Sequence, residues 1–205
     1  MKKIVFFAGP LCFLMLGSFT ASAQNRVTEA TEGGVLARGS ETMPVQKNMD
    51  LQPGDVLKTG EKCQVDISMQ NMAGCRILSG SECAVITSSP ESMELKVMTG
   101  NVILNLKKLP KGSTFKVETP TAIAAVRGTQ FWGRVDNQQS EDPVTTFAVR
   151  QGSVVVQTKK DGQIFALEKG QAIDIPLSSA APFIRPALDE EMNAMEQADS
   201  IPTGA

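Results

Sequence analysis

The sequence predicts an all-β fold: a twisted β-sandwich, jelly-roll-like, or a short solenoid-like stack of short strands, closed by a short C-terminal α-helix. Three observations predict it. Short apolar-alternating runs recur between glycine-marked turns at a spacing of about 8–12 residues. No helical period appears before residue 186. One strand–glycine–strand–turn–strand unit occurs twice. Residues 95–108 align with 147–160, setting Gly100 on Gly152, and residues 112–118 align with 162–168 after a short slip.

The elements follow in order. Residues 34–38 give the first strand signal. Pro53-Gly54 is a turn pair, and a strand starts at Val56. Val65, Ile67 and Met69 alternate onto one face. Residues 75–78 and 83–87 follow Gly74 and Gly80, and residues 95–97 and 102–106 flank Gly100. Residues 115–119 lead into the central stretch, 119–131. There Pro120 fixes its own φ and biases Thr119 toward extended backbone. Ile123, Ala125 and Arg127 fall on one face of an extended chain, and Ala122, Ala124 and Val126 on the other. Such small residues predict tight packing on both sides, and the stretch reads as a crossing between two β-layers. The strand continues through residues 132–135, and residues 136–143 form a polar hairpin loop. Residues 144–149 and 153–156 bracket Gly152. Asp161-Gly162 is a tight-turn dipeptide, and residues 164–167 and 172–175 close the series.

Both ends differ. Lys2 and Lys3, the apolar residues 4–16 and the Ala21-Ser22-Ala23 site predict a cleaved signal peptide over 1–23, with Gln24 as the mature N-terminus. The apolar run is too short to span a bilayer, so no stable membrane insertion is expected after cleavage. Nothing around Cys12 predicts a lipid anchor. Residues 24–32 read as a flexible N-terminus, 33–176 as the β domain, and 177–205 as a linker with an acidic helix. That helix is expected over 186–198, with Leu188, Met192 and Met195 on one face, docked on the sandwich or fraying from it; a partner-binding amphipathic helix is the alternative.

Composition excludes much chemistry. The chain of 205 residues has no His, so Ser-His and Cys-His nucleophile pairs and His-ligated zinc are impossible. It has no Tyr, and its net charge is −2, without the clustered basic footprint of nucleic-acid binding. A non-enzyme without cofactor or metal is expected. A His-free hydrolase would need paired carboxylates such as Asp136 and Glu141 in a pocket. Asp136, Glu141 and Asp142 match no calcium-loop spacing. Cys63, Cys75 and Cys83 remain after cleavage. Cys63 and Cys83 share a Gly-x-x-Cys pattern and are candidates for a disulfide; three small buried residues in neighbouring strands is the alternative.

Several spaced segments carry a resemblance. The first is residues 51–60, Leu-Gln-Pro-Gly-Asp-Val-Leu-Lys-Thr-Gly. The second is residues 115–131, containing Thr-Pro-Thr-Ala-Ile-Ala-Ala-Val-Arg-Gly-Thr-Gln-Phe. Around them lie Gly34-Val35, Gly100-Asn-Val102, Gly152-Ser-Val154 and Gly170-Gln171. The pattern resembles the FecR domain family over about residues 33–175. The resemblance implies an all-β extracytoplasmic bacterial domain. Named members are transmembrane regulators whose periplasmic FecR domain senses an outer-membrane receptor, while a cytoplasmic segment controls a sigma factor. Only three residues precede the apolar segment here, so the signalling output is not expected to carry over. Fold, an exported periplasmic or extracellular location and a binding role are.

The candidate contact residues are Arg127, Gly128, Thr129 and Trp132. Arg127 could clamp an anion or a partner carboxylate, or pair with a neighbouring strand. Trp132 alternates with Phe131, so one of them faces away from the core. The expected partner is an envelope protein. An envelope or matrix carbohydrate-binding module is the alternative, resting on Trp132.

Overall fold

The computed structural model describes residues 25–137, 142–178 and 180–204. The signal-peptide expectation, 1–23, lies outside them. The described chain is all-β with a short terminal helix.

Among the described residues seventeen strands form two packed sheets that share one long strand. The front sheet runs β4 (Asp50–Leu51), β1 (Asn25–Ala30), β6 (Val65–Met69), β7 (Ala73–Ile77), β9 (Ser92–Leu106), β12 (Gln130–Asp136), β13 (Val144–Gln151), β16 (Gln171–Pro176) and β17 (Phe183–Pro186). The back sheet runs β3 (Glu41–Pro44), β2 (Gly34–Arg38), β5 (Val56–Thr59), β8 (Glu82–Ser88), β9 again, β10 (Thr114–Glu118), β11 (Ala122–Val126), β14 (Ser153–Thr158) and β15 (Ile164–Glu168). Among the described residues only β9 and β10 pair in parallel.

β9 is the pivot. Its first part pairs with β8 and β10 in the back sheet; from Gly100 it pairs with β12 in the front sheet. The chain before β9 changes sheet near Gly33, Gly60 and Gly80, which are linked in series: Gly60 N–H donates to Gly33 O and Gly80 N–H to Gly60 O. The chain after β9 changes sheet near Gly128, Gly152 and Gly170. Two of these crossings require glycine outright. Gly100 has φ +86°, and a Cβ there would lie 2.5 Å from the Ser81 Cα. Gly152 has φ +81°, and its Cβ would lie 2.6 Å from the Thr129 Cγ2. An L side chain is strained at such φ, and here it also has no room. The repeat in the sequence is therefore one of local shape. Gly100 carries the chain from back to front, while Gly152 carries it from front to back.

The inner faces of both sheets build the core, with Phe115, Phe131 and Phe147 fully buried. Phe131 and Phe147 meet edge-on with ring centroids 6.1 Å apart, a favoured aromatic geometry. Two expectations need correction. Of the N-terminal stretch expected to be flexible, residues 25–30 are β1, hydrogen-bonded between β4 and β6, with Val27 buried. The terminal helix is shorter than 186–198. α1 covers Asp189–Ala194, followed by a 3₁₀ turn, Ala198–Ser200. Pro186 ends β17 instead of opening the helix, because Arg185 is held on β16 by Asp174.

The tail docks on the outer face of the front sheet and does not fray from it, although Leu188 of the expected apolar face is exposed. Met195, Ala198 and Ile201 pack on Ile103, Trp132, Ala148 and Ala172. Gly74 provides the seat, since a Cβ there would lie 2.6 Å from the Pro202 carbonyl.

Candidate functional site

The site is built where β11 leaves the back sheet and β12 enters the front one. Thr119 closes the preceding hairpin. Its hydroxyl donates to Ala122 O and accepts from Ala122 N–H and from the Thr145 hydroxyl. Ala122, Ala124 and Val126 then point into the core. Ala125 and Arg127 point out and are exposed, so the strand packs tightly on one side only and not on both.

Arg127 donates from Nη2 to Leu109 O at 3.4 Å, an architectural contact with the neighbouring loop and not with an acid. Gly128 has φ +66° and lies against the Lys108 backbone, 3.3 Å from where its Cβ would be. Thr129 is buried; its carbonyl accepts from Leu106 N–H at 2.9 Å, and its hydroxyl has no hydrogen-bond partner among the described residues. Lys108 is exposed with its backbone against Gly128, and Lys107 and Lys111 are exposed on the same loop, whose Leu109 carbonyl accepts from Arg127, so loop and crossing together carry four basic side chains. A cation cluster on a fixed backbone can attract a carboxylate-bearing surface.

Trp132 is not part of this edge. It stands on the opposite face of β12 from Phe131 and is 7% exposed, beneath the tail. The four residues singled out in the sequence therefore do not converge. With its ring covered, Trp132 offers no aromatic platform of the kind a carbohydrate-binding reading requires.

Trp132 does line a groove of about 610 Å³ between β12, β13, β16 and α1. Arg185 dominates it. Its guanidinium donates to Asp174 at 2.6 and 3.0 Å and to Glu191 at 2.9 and 2.6 Å. The hydrogen bonds to Glu191 and Asp174 raise the Arg185 pKa. Burial pushes the Asp174 carboxyl up, but hydrogen bonds from Arg185 and Thr146 outweigh it and hold the group below its ordinary value. Glu191 Oε2 also accepts the Leu188 N–H at 2.7 Å, tying the start of α1 to the network. Arg134 pairs with Asp136 at 2.9 Å, and Asp142 accepts the Ser178 N–H at 2.7 Å. Glu141 lies outside the described residues. The carboxylates of this groove act as partners for arginines and backbone. Among the described residues no group of three or more candidate metal ligands converges.

The sequence did not reveal this network. Asp174, Arg185 and Glu191 follow no short motif, and only the β16–β17 pairing and the tail bring them together. The buried Asp66–Arg76 pair also went unread. It is bidentate at 2.8 and 2.7 Å, and the residues are direct cross-strand partners on β6 and β7. Its signal was an acid and a base at mirrored positions of one hairpin.

The FecR protein family model matches residues 55–155, from the start of β5 into β14. The chain carries a FecR domain. The match includes the Arg127 crossing and Trp132 but not Arg185 or the tail. Two crystal structures of a candidate anti-sigma factor from Parabacteroides distasonis ATCC 8503 are similar to it, with TM-score 0.58 and 16% identity over 69% of this chain. This chain spans 64% of that protein's length. At that identity the likeness is one of fold. No curated protein matches the chain.

The cysteines of the FecR domain are free and buried, so the Cys63–Cys83 bridge is not formed. Cys63 donates to Thr31 O at 3.6 Å, under Gly34. Cys83 sits on β8 between Leu57 and Val97 of the core, and Cys75 on β7 between Ile67 and Leu104. Burial, then the nearby Glu82, pushes the Cys83 thiol up to about 12, and burial raises Cys75 well above its ordinary value. Thiolate is the reactive form. The native domain is therefore expected to resist an aromatic disulfide reagent until denaturant is added. Fast labelling of any of the three thiols in the native protein would contradict this.

Proposed function

We propose that this FecR domain is an exported, non-catalytic binding module of the bacterial cell envelope, serving extracytoplasmic sensing through a protein partner. The observation that carries the reading is the family match over residues 55–155, with the cationic Arg127 edge inside it. The match supplies the class of module. The edge supplies a surface that is exposed and held by backbone contacts to the 106–109 loop. The basic and apolar leader with its Ala-Ser-Ala site supports export to the periplasm or beyond. The name of the similar structures, an anti-sigma factor, supports a regulatory and protein-binding role.

The test is site-specific photo-cross-linking from position 108 in intact cells, followed by fractionation. The expected product is an adduct with an envelope protein that disappears in Arg127→Glu while the domain stays folded by circular dichroism. Retention of the protein in the cytoplasm, or turnover by the purified protein lost on changing Asp136, would overturn the proposal.

A further inference from the structure

The two ends of the sandwich treat their open sheet edges differently. At the N-terminal end β4 has two residues, and β3 carries Glu41 and finishes on Pro44. Short, charged and proline-bearing edges resist further pairing. At the C-terminal end the apolar surface collects. Among the described residues, Val155, Ile164, Leu177, Phe183, Ile184 and Leu188 are exposed there, against Ile86 elsewhere.

Hydrogen bonds fix which backbone groups these last strands leave open. Ala187 N–H donates to Gly170 O, so Phe183 and Arg185 turn their backbone groups toward β16, and Ile184 and Pro186 turn theirs outward. Pro186 has no N–H, so β17 is a blunted edge. β15 is not. Thr158 N–H donates to Gln163 O, so Phe165 and Leu167 turn toward β14, and Ile164, Ala166 and Glu168 turn outward. The Glu168 N–H is capped by the Gln171 side chain at 2.8 Å. Among the described residues the N–H and C=O groups of Ile164 and Ala166 therefore remain open, on a strand whose one charged residue, Glu168, lies at its end.

We propose that two copies of this chain pair edge to edge through β15, antiparallel about a two-fold axis at Phe165. In that register Ile164 of each copy faces Ala166 of the other, and the open groups close on one another. On the outer face Ile164 meets Ala166; on the inner face the two Phe165 rings meet. Side chains so placed are the pairs that stabilise sheets. The strand ends are complementary in charge, because Lys169 of one copy comes to the end where Asp161 of the other lies. A one-residue shift would set outward backbone groups against inward ones, so the capped Glu168 and the open pair select this alignment. The interface is self-complementary, as a two-fold contact must be.

Sedimentation equilibrium of the protein, in the form its host produces, tests the pairing. A mass twice that of the monomer is expected at high micromolar concentration. It should fall to the monomer mass in the double variant Ile164→Lys, Ala166→Lys, whose side chains are both exposed and whose fold is therefore retained. A register test keeps the proposal falsifiable if charge alone disrupts association. Phe165→Cys should form an intermolecular disulfide on mild oxidation, and Ile164→Cys should form at least tenfold less. A native chain that stays monomeric, a dimer that survives the double lysine variant, or equal cross-linking at both positions would overturn it.

Discussion

Gly100→Ala is expected to destabilise the domain by about 3 kcal/mol or more. Two costs add: about 1–2 kcal/mol for an L residue in left-handed backbone, and about 1–3 kcal/mol for overpacking. The second cost is the sharper one here, because the new Cβ meets the Ser81 Cα at 2.5 Å as well as the Ser81 side chain, so a rotamer change alone cannot relieve it. Ser81 cannot easily retreat. Its N–H is bound to the Thr59 hydroxyl at 2.9 Å, and its own hydroxyl accepts from Asn101 N–H at 2.8 Å. Gly112→Ala is the control, since Gly112 has φ +92° and nothing within 4 Å of its Cβ position. That variant should carry only the backbone cost. Urea midpoints of the two variants decide the matter: equal losses would show that the crossing at Gly100 is not packed as described.

Arg185→Ala is expected to cost about 3 kcal/mol, the scale of stranding a buried carboxylate. Glu191 is only 3% exposed and would lose its guanidinium. The tail should loosen, and Trp132 beneath it should report the change by a red-shifted emission. The same latch gives the native protein an acid response. Asp174 is held below its ordinary value of 3.8, Arg185 and Thr146 outweighing burial. Asp199 on the tail is lowered by hydrogen bonds from Gln130, then Arg150. Carboxylates depressed in the folded state stabilise it above their unfolded pKa, and that stability is lost as pH falls through the folded values. Native tail docking should thus persist at neutral pH and be lost progressively as pH falls below the ordinary carboxylate range. In Arg185→Ala, Asp174 loses the partner that depresses it, and the fluorescence transition should move to higher pH. An unchanged melting temperature together with an unchanged acid midpoint would refute the latch.

Much of the fold was legible because strand period and glycine placement are local properties. Val65, Ile67 and Met69 share a face in the sequence as in the structure, and the Phe131–Trp132 step does divide core from outer face. Sheet membership was not legible. Strands of both sheets alternate alike, and Gly100 and Gly152 look the same although they send the chain in opposite directions. β1 was missed because Val27 is a lone strong apolar residue among polar neighbours. The start of the tail was misread because Pro186 suits a strand end as well as a first helical turn. At the candidate site, parity placed Arg127 on the open face of β11. It could not show that residues some sixty or seventy positions later would cover Trp132.

The strand common to both sheets has a kinetic consequence. β9 touches β7, β8, β10 and β12, so neither half of the chain can complete a sheet without it. Nucleation must bring together segments far apart along the chain, and such topologies fold in milliseconds to seconds. Cutting the chain on either side of β9 should not yield two folding units, and refolding should proceed as one slow event.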